Sequence, residues 1–291
     1  MQSALEELRR LAAGAQNRRT ETGIPRVAMV QGEVPEHALS AVYEPMVNLI
    51  LRGSKSMTLG GQTLHYDPAT YFVMSVALPA VGRVHADAHG APYLAVSLSL
   101  DPAPLAALLA ELPEAALPPT RPQGYSVAAM TPELMDAWLR LMRLMRMPAD
   151  IPALAPVYER EILYRVLQGP QGGVLRAIAL PDSALARVQR AIRWLREAHD
   201  QPLRVAELAA RVAMSESAFH RAFKAATAQS PLQFQKQLRL LRARSLLLAG
   251  QCSVTSAAHE VGYESASQFS RDYARHFGLP PSRDVERLQQ G

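Results

Sequence analysis

Leu203-Arg-Val-Ala-Glu-Leu-Ala-Ala-Arg-Val212, Ala213-Met-Ser215 and Glu216-Ser-Ala-Phe-His-Arg-Ala-Phe-Lys224 form a pattern that the chain repeats. The second copy is Ser253-Val-Thr-Ser-Ala-Ala-His-Glu-Val261, Gly262-Tyr-Glu264 and Ser265-Ala-Ser-Gln-Phe-Ser-Arg-Asp-Tyr273. In each copy apolar residues recur at helical spacing, Val205/Leu208/Val212 and Val254/Ala257/Val261. A short turn follows, and then a second helix whose aromatic residues fall four apart, Phe219/Phe223 and Phe269/Tyr273. This is the helix-turn-helix layout, in which the second helix enters the DNA major groove. Ser230-Pro231, an N-cap followed by Pro at N1, opens a long helix to about Leu248 that separates the copies.

Outward from this repeat, the charge is unevenly placed. Residues 181–291 hold 16 Lys/Arg against 10 Asp/Glu, whereas residues 1–180 hold 15 against 16. The basic excess therefore lies in the half that carries the repeat, which suits phosphate contact. A length of 291 residues allows two domains with separate cores. No stretch approaches the length of uncharged apolar sequence that a membrane span needs. Met1-Gln-Ser-Ala-Leu-Glu-Glu-Leu-Arg-Arg10 reads as an amphipathic helix without the apolar core of a signal peptide, so a cytoplasmic location is expected. It either packs on the next domain or forms a mobile arm. The single cysteine, Cys252, excludes an internal disulfide framework and a cysteine-rich zinc site, and reads as an inert thiol.

From Ile24 to Leu100 the period is that of strands, expected at Arg26–Val34, Val42–Leu51, Lys55–Leu59, Gln62–Tyr66, Thr70–Val76, Ala80–Ala86 and Tyr93–Leu100. Gly60-Gly61 reads as a tight hairpin turn. Such strands suggest a small barrel or sandwich whose mouth holds a small ligand. Asp101-Pro102 opens a helix over Leu105–Leu112, Leu117–Gln123 is a proline-rich loop, and Thr131-Pro132 starts a helix rich in Leu and Met. That helix reads equally as a dimer element or as one sandwiched between the barrel and the C-terminal domain. Pro156–Gln168 is a further helix. Gly169-Pro-Gln-Gly-Gly173 is the interdomain break, with a linker over 169–184, and Asp182 or Ser183 caps the next helix.

These residues resemble the AraC/XylS family of bacterial transcription regulators over about 185–285. The likeness is carried by Met214-Ser-Glu-Ser-Ala-Phe-His-Arg-Ala-Phe-Lys224, Ser230-Pro-Leu-Gln-Phe234, Val261-Gly-Tyr-Glu-Ser265, Gln268-Phe-Ser-Arg271 and Phe277-Gly-Leu-Pro-Pro281. Tyr43-Glu-Pro45, Leu51-Arg-Gly-Ser-Lys55, Leu59-Gly-Gly61, Leu78-Pro79 and Leu100-Asp-Pro102 resemble the cupin-like regulatory domain of one subfamily. The resemblance implies an α+β chain: a cupin-like domain over 1–168 that senses a small molecule or holds a homodimer, and a double helix-turn-helix domain over 185–291 that binds double-stranded promoter DNA. Activation and recruitment of RNA polymerase are among its implied outcomes.

The exposed face near the start of each second helix is expected to meet base edges. In the first copy this face is Ser217, His220 and Arg221, positions where the resemblance also puts base contacts, and in the second it is Ala266, Ser267 and Arg271. Lys224, Ser270, Arg239 and Arg275 are the expected phosphate contacts, and Gln268 reads as the far end of a capping box with Ser265. In the barrel, Tyr43 and His85 read as core or pocket polar groups. The metal-type cupin motif needs His-x-His with a following carboxylate, which His85-Ala-Asp-Ala-His89 does not supply, and His65 has no partner in such a motif. No metal or cofactor is expected. A cupin-type enzyme with an accessory helical domain is the alternative, but it needs a convergent metal or acid/base set that the sequence does not show. A DNA-repair methyl acceptor needs more reactive cysteine than one.

Overall fold

A computed structural model describes residues 1–32, 39–113, 119 and 123–290. The proline-rich loop expected over 117–123 and the end of the first expected strand fall largely outside them. Two antiparallel sheets make the N-terminal half. The larger has the order β1 (Thr20–Glu21), β2 (Val27–Gly32), β9 (Tyr93–Ser99), β4 (Met46–Arg52), β7 (Thr70–Met74), β10 (Tyr125–Ala129). The smaller has the order β3 (Leu39–Tyr43), β8 (Leu78–His85), β5 (Ser54–Leu59), β6 (Gln62–Tyr66).

The single strand expected over Val42–Leu51 is two strands in different sheets. Pro45 lacks an N–H for a ladder and breaks the run, while its carbonyl accepts from Leu100 N at 2.9 Å. Between β5 and β6, Gly60 and Gly61 both have positive φ (51° and 90°) and Leu59 pairs with Gln62. That is the two-residue turn the glycine pair implied. β1 and β10 lie at the sheet edges; two residues and a weak alternation beside a proline-rich loop gave little signal for either.

Helix α1 (Gln2–Leu11) is docked, not a free arm. Leu8 and Leu11 are buried, Arg9 Nε donates to Leu51 O at 2.7 Å, and Glu7 accepts two bonds from Arg143. Arg143 closes α3 (Pro132–Arg143), which Thr131 caps and whose Trp138, Leu141 and Met142 have no exposed surface. One side of α3 lies on α1 and the other on α4 (Ile151–Gln168). Its broad apolar face is thus covered within the N-terminal half, by α1 and α4 rather than by the C-terminal domain. Asp101 caps α2 (Pro102–Glu111) as its Asp-Pro start required.

The segment expected to be a linker contains a packed helix, α5 (Gly172–Ala179). Gly169-Pro170 ends α4, but Val174, Leu175, Ala177 and Ile178 then bury themselves among α2, α4 and α6 (Ala184–Glu197). Ser183 is the cap of α6. Beyond it come α7 (Val205–Arg211), α8 (Glu216–Thr227), α9 (Pro231–Leu248), α10 (Val254–Glu260), α11 (Ala266–Phe277) and α12 (Pro281–Gln290).

Apolar burial divides the molecule differently from the chain. One continuous core runs from the barrel through α5 and α6 into α7 and α8, and takes in Phe234 and Leu238 of α9. A second core joins Leu240, Leu246 and Leu247 of α9 to Val261, Phe269 and Tyr273. Helix α9 is therefore one spine serving two cores. Polar contacts also tie the halves: Glu44 pairs with Arg196 at 2.5 and 3.0 Å, and Gly124 N donates to Ala226 O at 3.1 Å.

Candidate nucleic-acid interface

The two repeats fold alike because their local chemistry is alike. Ser215 Oγ accepts from Ala218 N and Ser265 Oγ from Gln268 N, each at 3.4 Å, so both second helices start on a serine cap. The preceding turns close through Met214 N to Ala209 O (3.0 Å) and Tyr263 N to Ala258 O (2.9 Å). Each turn holds a residue with positive φ, Ala213 at 54° and Gly262 at 82°. Rings four apart then anchor each helix: Phe219 and Phe223 lie 5.4 Å apart, Phe269 and Tyr273 5.5 Å, all without exposed surface.

Burying those rings turns the opposite face outward. On α8 this leaves Ser217, Arg221 and Lys224 exposed in one stripe, with half-buried His220 3.9 Å from Glu216. On α11 it leaves Ser267, Arg271 and Arg275 exposed. Ala266 and Ser270 are half-buried, Ala266 against the second core. Gln268 does not complete a capping box. Its Nε2 donates to Asp272 Oδ2 at 3.2 Å and its Oε1 accepts from Arg271 Nη2 at 3.0 Å, which holds Arg271 at the surface. The capping box forms instead between Ser230 and Gln233 at the start of α9, from a Ser-x-x-Gln spacing equally visible in the sequence.

Arg239 is a clamp and not a phosphate contact. Its guanidinium donates to the carbonyls of His199 (2.6 Å), Asp200 (3.1 Å), Gln201 (2.9 Å) and Gly262 (2.9 Å). Four of the five N–H donors of this planar fork are on main-chain oxygens, which fixes its direction within the protein. It pins the loop after α6 to the turn of the second unit, and burial lowers its pKa. Buried Asp272 is a second fastening point. Lys236 Nζ of α9 lies 2.6 Å away and Arg275 3.6 Å. Burial pushes this carboxyl up, but the bonds from Lys236 and Gln268 outweigh it and the net pKa is lowered.

Lys224 and Arg275, on the last turns of α8 and α11, line one cleft of about 480 Å³ with Gln233, Lys236 and the hairpin glycines Gly60 and Gly61. The tip of the β5–β6 hairpin thus reaches the far ends of both recognition helices. A Cβ on Gly60 would sit 2.6 Å from Ala228, the left-handed C-cap of α8.

In the barrel, His85 is exposed on the outer face, with Nε2 3.3 Å from Ser56 Oγ. Tyr43 does point inward, and burial pushes its phenol up to about 12. Its neighbour Lys55 was not among the residues expected there, yet Lys55 Nζ lies 4.5 Å from the Tyr43 ring centre. The signal was available: Lys55, Met57 and Leu59 alternate, which puts the lysine on the apolar side of β5. Tyr66 and Tyr93, each 2% exposed, complete this group.

Fold and site together define a two-domain class, a cupin-like double sheet fused to paired helix-turn-helix units. Residues 23–174 match the family described as AraC-type transcriptional regulator N-terminus, and residues 208–287 match the helix-turn-helix domain family. The chain belongs to the AraC-type transcriptional regulators. It is 31% identical over 147 residues to the HTH-type transcriptional activator RhaS of Klebsiella pneumoniae (strain 342), covering 50% of either chain. It is 28% identical over 145 residues to RhaS of Escherichia coli O139:H28, covering 49% of either chain. The chain thus spans about half the length of the curated relatives it matches. Among solved structures, ToxT from Vibrio cholerae in its P21 form superposes with a TM-score of 0.59 at 10% identity, covering 90% of this chain and 97% of that one. ToxT bound to (E)-4-(8-methylnaphthalen-1-yl)but-3-enoic acid gives 0.57 at 11% identity, covering 90% and 98%. At these identities the likeness is one of fold. No helix among the described residues is long and apolar enough to cross a membrane.

Proposed function

We propose that this protein is a sequence-specific DNA-binding transcription regulator that reads two adjacent major-groove segments with α8 and α11. The N-terminal half, residues 1–168, takes a small-molecule effector and passes its state to residues 185–291. One observation carries the reading. Two serine-capped recognition helices hang from the same spine, α9, with Ser217 and Arg221 outward on one and Ser267 and Arg271 outward on the other. Half-buried His220 lies beside the first pair. Lys224, Ser270 and Arg275 lie further along the same helices, where phosphates flank a groove. The relatives support the reading: RhaS is described as a transcriptional activator, and ToxT has been crystallised with an unsaturated fatty acid and with an aryl butenoic acid. The family relationship favours this over a cupin-type enzyme. A homodimer formed through the N-terminal half, contact with RNA polymerase and a cytoplasmic location complete the proposal.

Selection of bound sequences from a random duplex pool with the full chain tests it. The expected product is a site with two short elements about one helical turn apart. Arg221→Ala should relax selection at one element and Arg271→Ala at the other, each by about 1–3 kcal/mol, roughly 5- to 150-fold. Lys224→Ala or Arg275→Ala should instead weaken all sequences alike and lower the salt slope by about one. Uniform weakening by the first two substitutions would remove α8 and α11 as the reading elements.

A further inference from the structure

We infer that the cleft between the tip of the β5–β6 hairpin and the far ends of α8 and α11 is a phosphate site. It is a seat for one phosphate dianion, free or as the monoester of a small compound, held by both reading units and the barrel together.

Charge makes the first case. The chain has three lysines, and two of them, Lys224 of α8 and Lys236 of α9, line this cleft with Arg275 of α11. A lysine ammonium is a compact point charge that suits phosphate. Asp272 is the one carboxylate among the lining residues, and it is buried and already occupied. Lys236 Nζ stands 2.6 Å from its Oδ1 and Arg275 Nη1 3.6 Å, while Gln268 Nε2 donates to its Oδ2 at 3.2 Å. Lys224 has no ion pair among the described residues. Half-buried His276 adds no charge at neutral pH, because burial first, and then Arg244 and Lys236, hold its pKa down. Three cations thus face one carboxylate, from three helices that converge on one concave space. A dianion cancels that surplus, whereas a carboxylate or a phosphodiester of the DNA backbone brings half the charge.

Unsatisfied polar groups make a second, independent case. Gln229 lines the cleft, is 5% exposed, and its Oε1 has no hydrogen-bond partner among the described residues. A buried amide left in that state is costly. A half-turn of the amide sets Nε2 in its place, as a donor to a phosphate oxygen. Gln237, half-buried on α9 and also in the lining, has no partner among the described residues either. On the opposite wall the turn amides of Gly60 and Gly61 donate no backbone hydrogen bond among the described residues, and a Cβ on Gly61 would meet nothing within 4 Å. Free backbone amides are ready anion donors. Donors therefore come from α8, α9, α11 and the hairpin. Oxygens in tetrahedral array can meet all four sides, and the single plane of a carboxylate cannot.

Occupancy has a consequence for DNA binding. Lys224 and Arg275 are the residues proposed above for DNA phosphates, so a dianion in the cleft withdraws both from the backbone. It also ties the barrel hairpin to both recognition helices. The bound state is thus the weaker DNA binder.

With three lysines in the chain, amine labelling with acetic anhydride, read by mass spectrometry, measures occupancy directly. The full chain is labelled at pH 8, where a phosphate monoester is a dianion. Millimolar inorganic phosphate and glycerol 3-phosphate should slow labelling of Lys224 and Lys236 but not of the Met1 amine. Dimethyl phosphate, acetate and chloride at equal ionic strength should not. Calorimetry should give matching affinities, with Lys224→Gln weakening them about tenfold and Gln237→Leu about fivefold. Equal affinity for phosphate and ester makes the ion itself the ligand, and tighter binding of the ester makes it a phosphorylated compound. Phosphate should also weaken binding to the selected duplex more than chloride does, and less so in Gln237→Leu. Protection by chloride or dimethyl phosphate as strong as by phosphate, protection by duplex alone, or an affinity unchanged in both variants would overturn the site. Labelling and calorimetry need no DNA, so their result stands whether or not the duplex selection supports the regulator reading.

Discussion

Asp284→Ala is expected to lower the stability of the second helix-turn-helix unit by about 3–5 kcal/mol, the usual result of removing one partner from a buried ion pair. Asp284 has no exposed surface. Its carboxylate accepts from Arg244 Nε at 2.8 Å and Nη2 at 3.1 Å, from the Tyr273 hydroxyl at 2.9 Å and from Arg287 at 2.6 Å. Three of these bonds join α12 to α9 and α11, and the one from Arg287 lies within α12. Arg244 in turn lies over the Phe277 ring, 4.4 Å from its centre, and is itself buried. Without the carboxylate, Arg244 is a desolvated cation and Tyr273 an unsatisfied donor at the centre of a small core. Because that core is separate from the one shared by the barrel and the first unit, the damage should be local. Hydrogen exchange resolved by segment is the measurement. Protection should fall across about 240–290 and persist in the barrel strands, and the selected DNA site should shrink to one element. Equal loss of protection in both cores would show that they unfold as one.

Gly262→Ala should cost about 3 kcal/mol, from left-handed strain and a backbone overlap acting together. At φ 82° a Cβ would lie 2.0 Å from Asp200 O, 2.8 Å from its carbonyl carbon and 3.0 Å from Arg239 Nη2. The obstacle is main chain and cannot rotate away. The loop after α6 must therefore move off the turn of the second unit, and Arg239 loses the geometry that joins them. Thermal melting should show the destabilisation, and the gap between the two DNA elements should become less strictly defined. The matching turn of the first unit supplies a control. Ala213 already sits at φ 54°, so Ala213→Gly should stabilise by about 0.5–1 kcal/mol, relief of strain being partly offset by the greater freedom of the unfolded chain. A Gly262→Ala variant that melts like the native protein and keeps the native gap would mean that this contact does not set the spacing of the recognition helices.

Much of the reading surface was legible because it depends on neighbours in the chain. The serine caps at 215, 230 and 265 and the ring pairs Phe219/Phe223 and Phe269/Tyr273 are set within one or two helical turns, and they determine which face of α8 and α11 is outward. The strands and the Gly60-Gly61 turn follow from period and from the backbone freedom of glycine. Lys55 was legible too, from its place in an apolar alternation. His85 was the more conspicuous polar residue of the barrel, but its side chain is on the other face of the sheet.

Every feature that a few consecutive residues control was thus written in the chain: caps, turns, amphipathic faces, and the duplication that identifies two reading units. Other features exist only in the folded molecule. Pro45 splits a strand between two sheets, α5 packs where a linker was expected, and α1 and α4 cover the apolar face of α3. Gln268 turns to Asp272, and Arg239 and Asp284 fasten elements together instead of facing solvent. In most of these cases the partner lies elsewhere in the chain, and for Gln268 it is the residue one turn further along the same helix, which only the folded core holds buried. A long polar side chain goes to whichever groups the folded backbone leaves unsatisfied, and those groups come into being only when the elements meet.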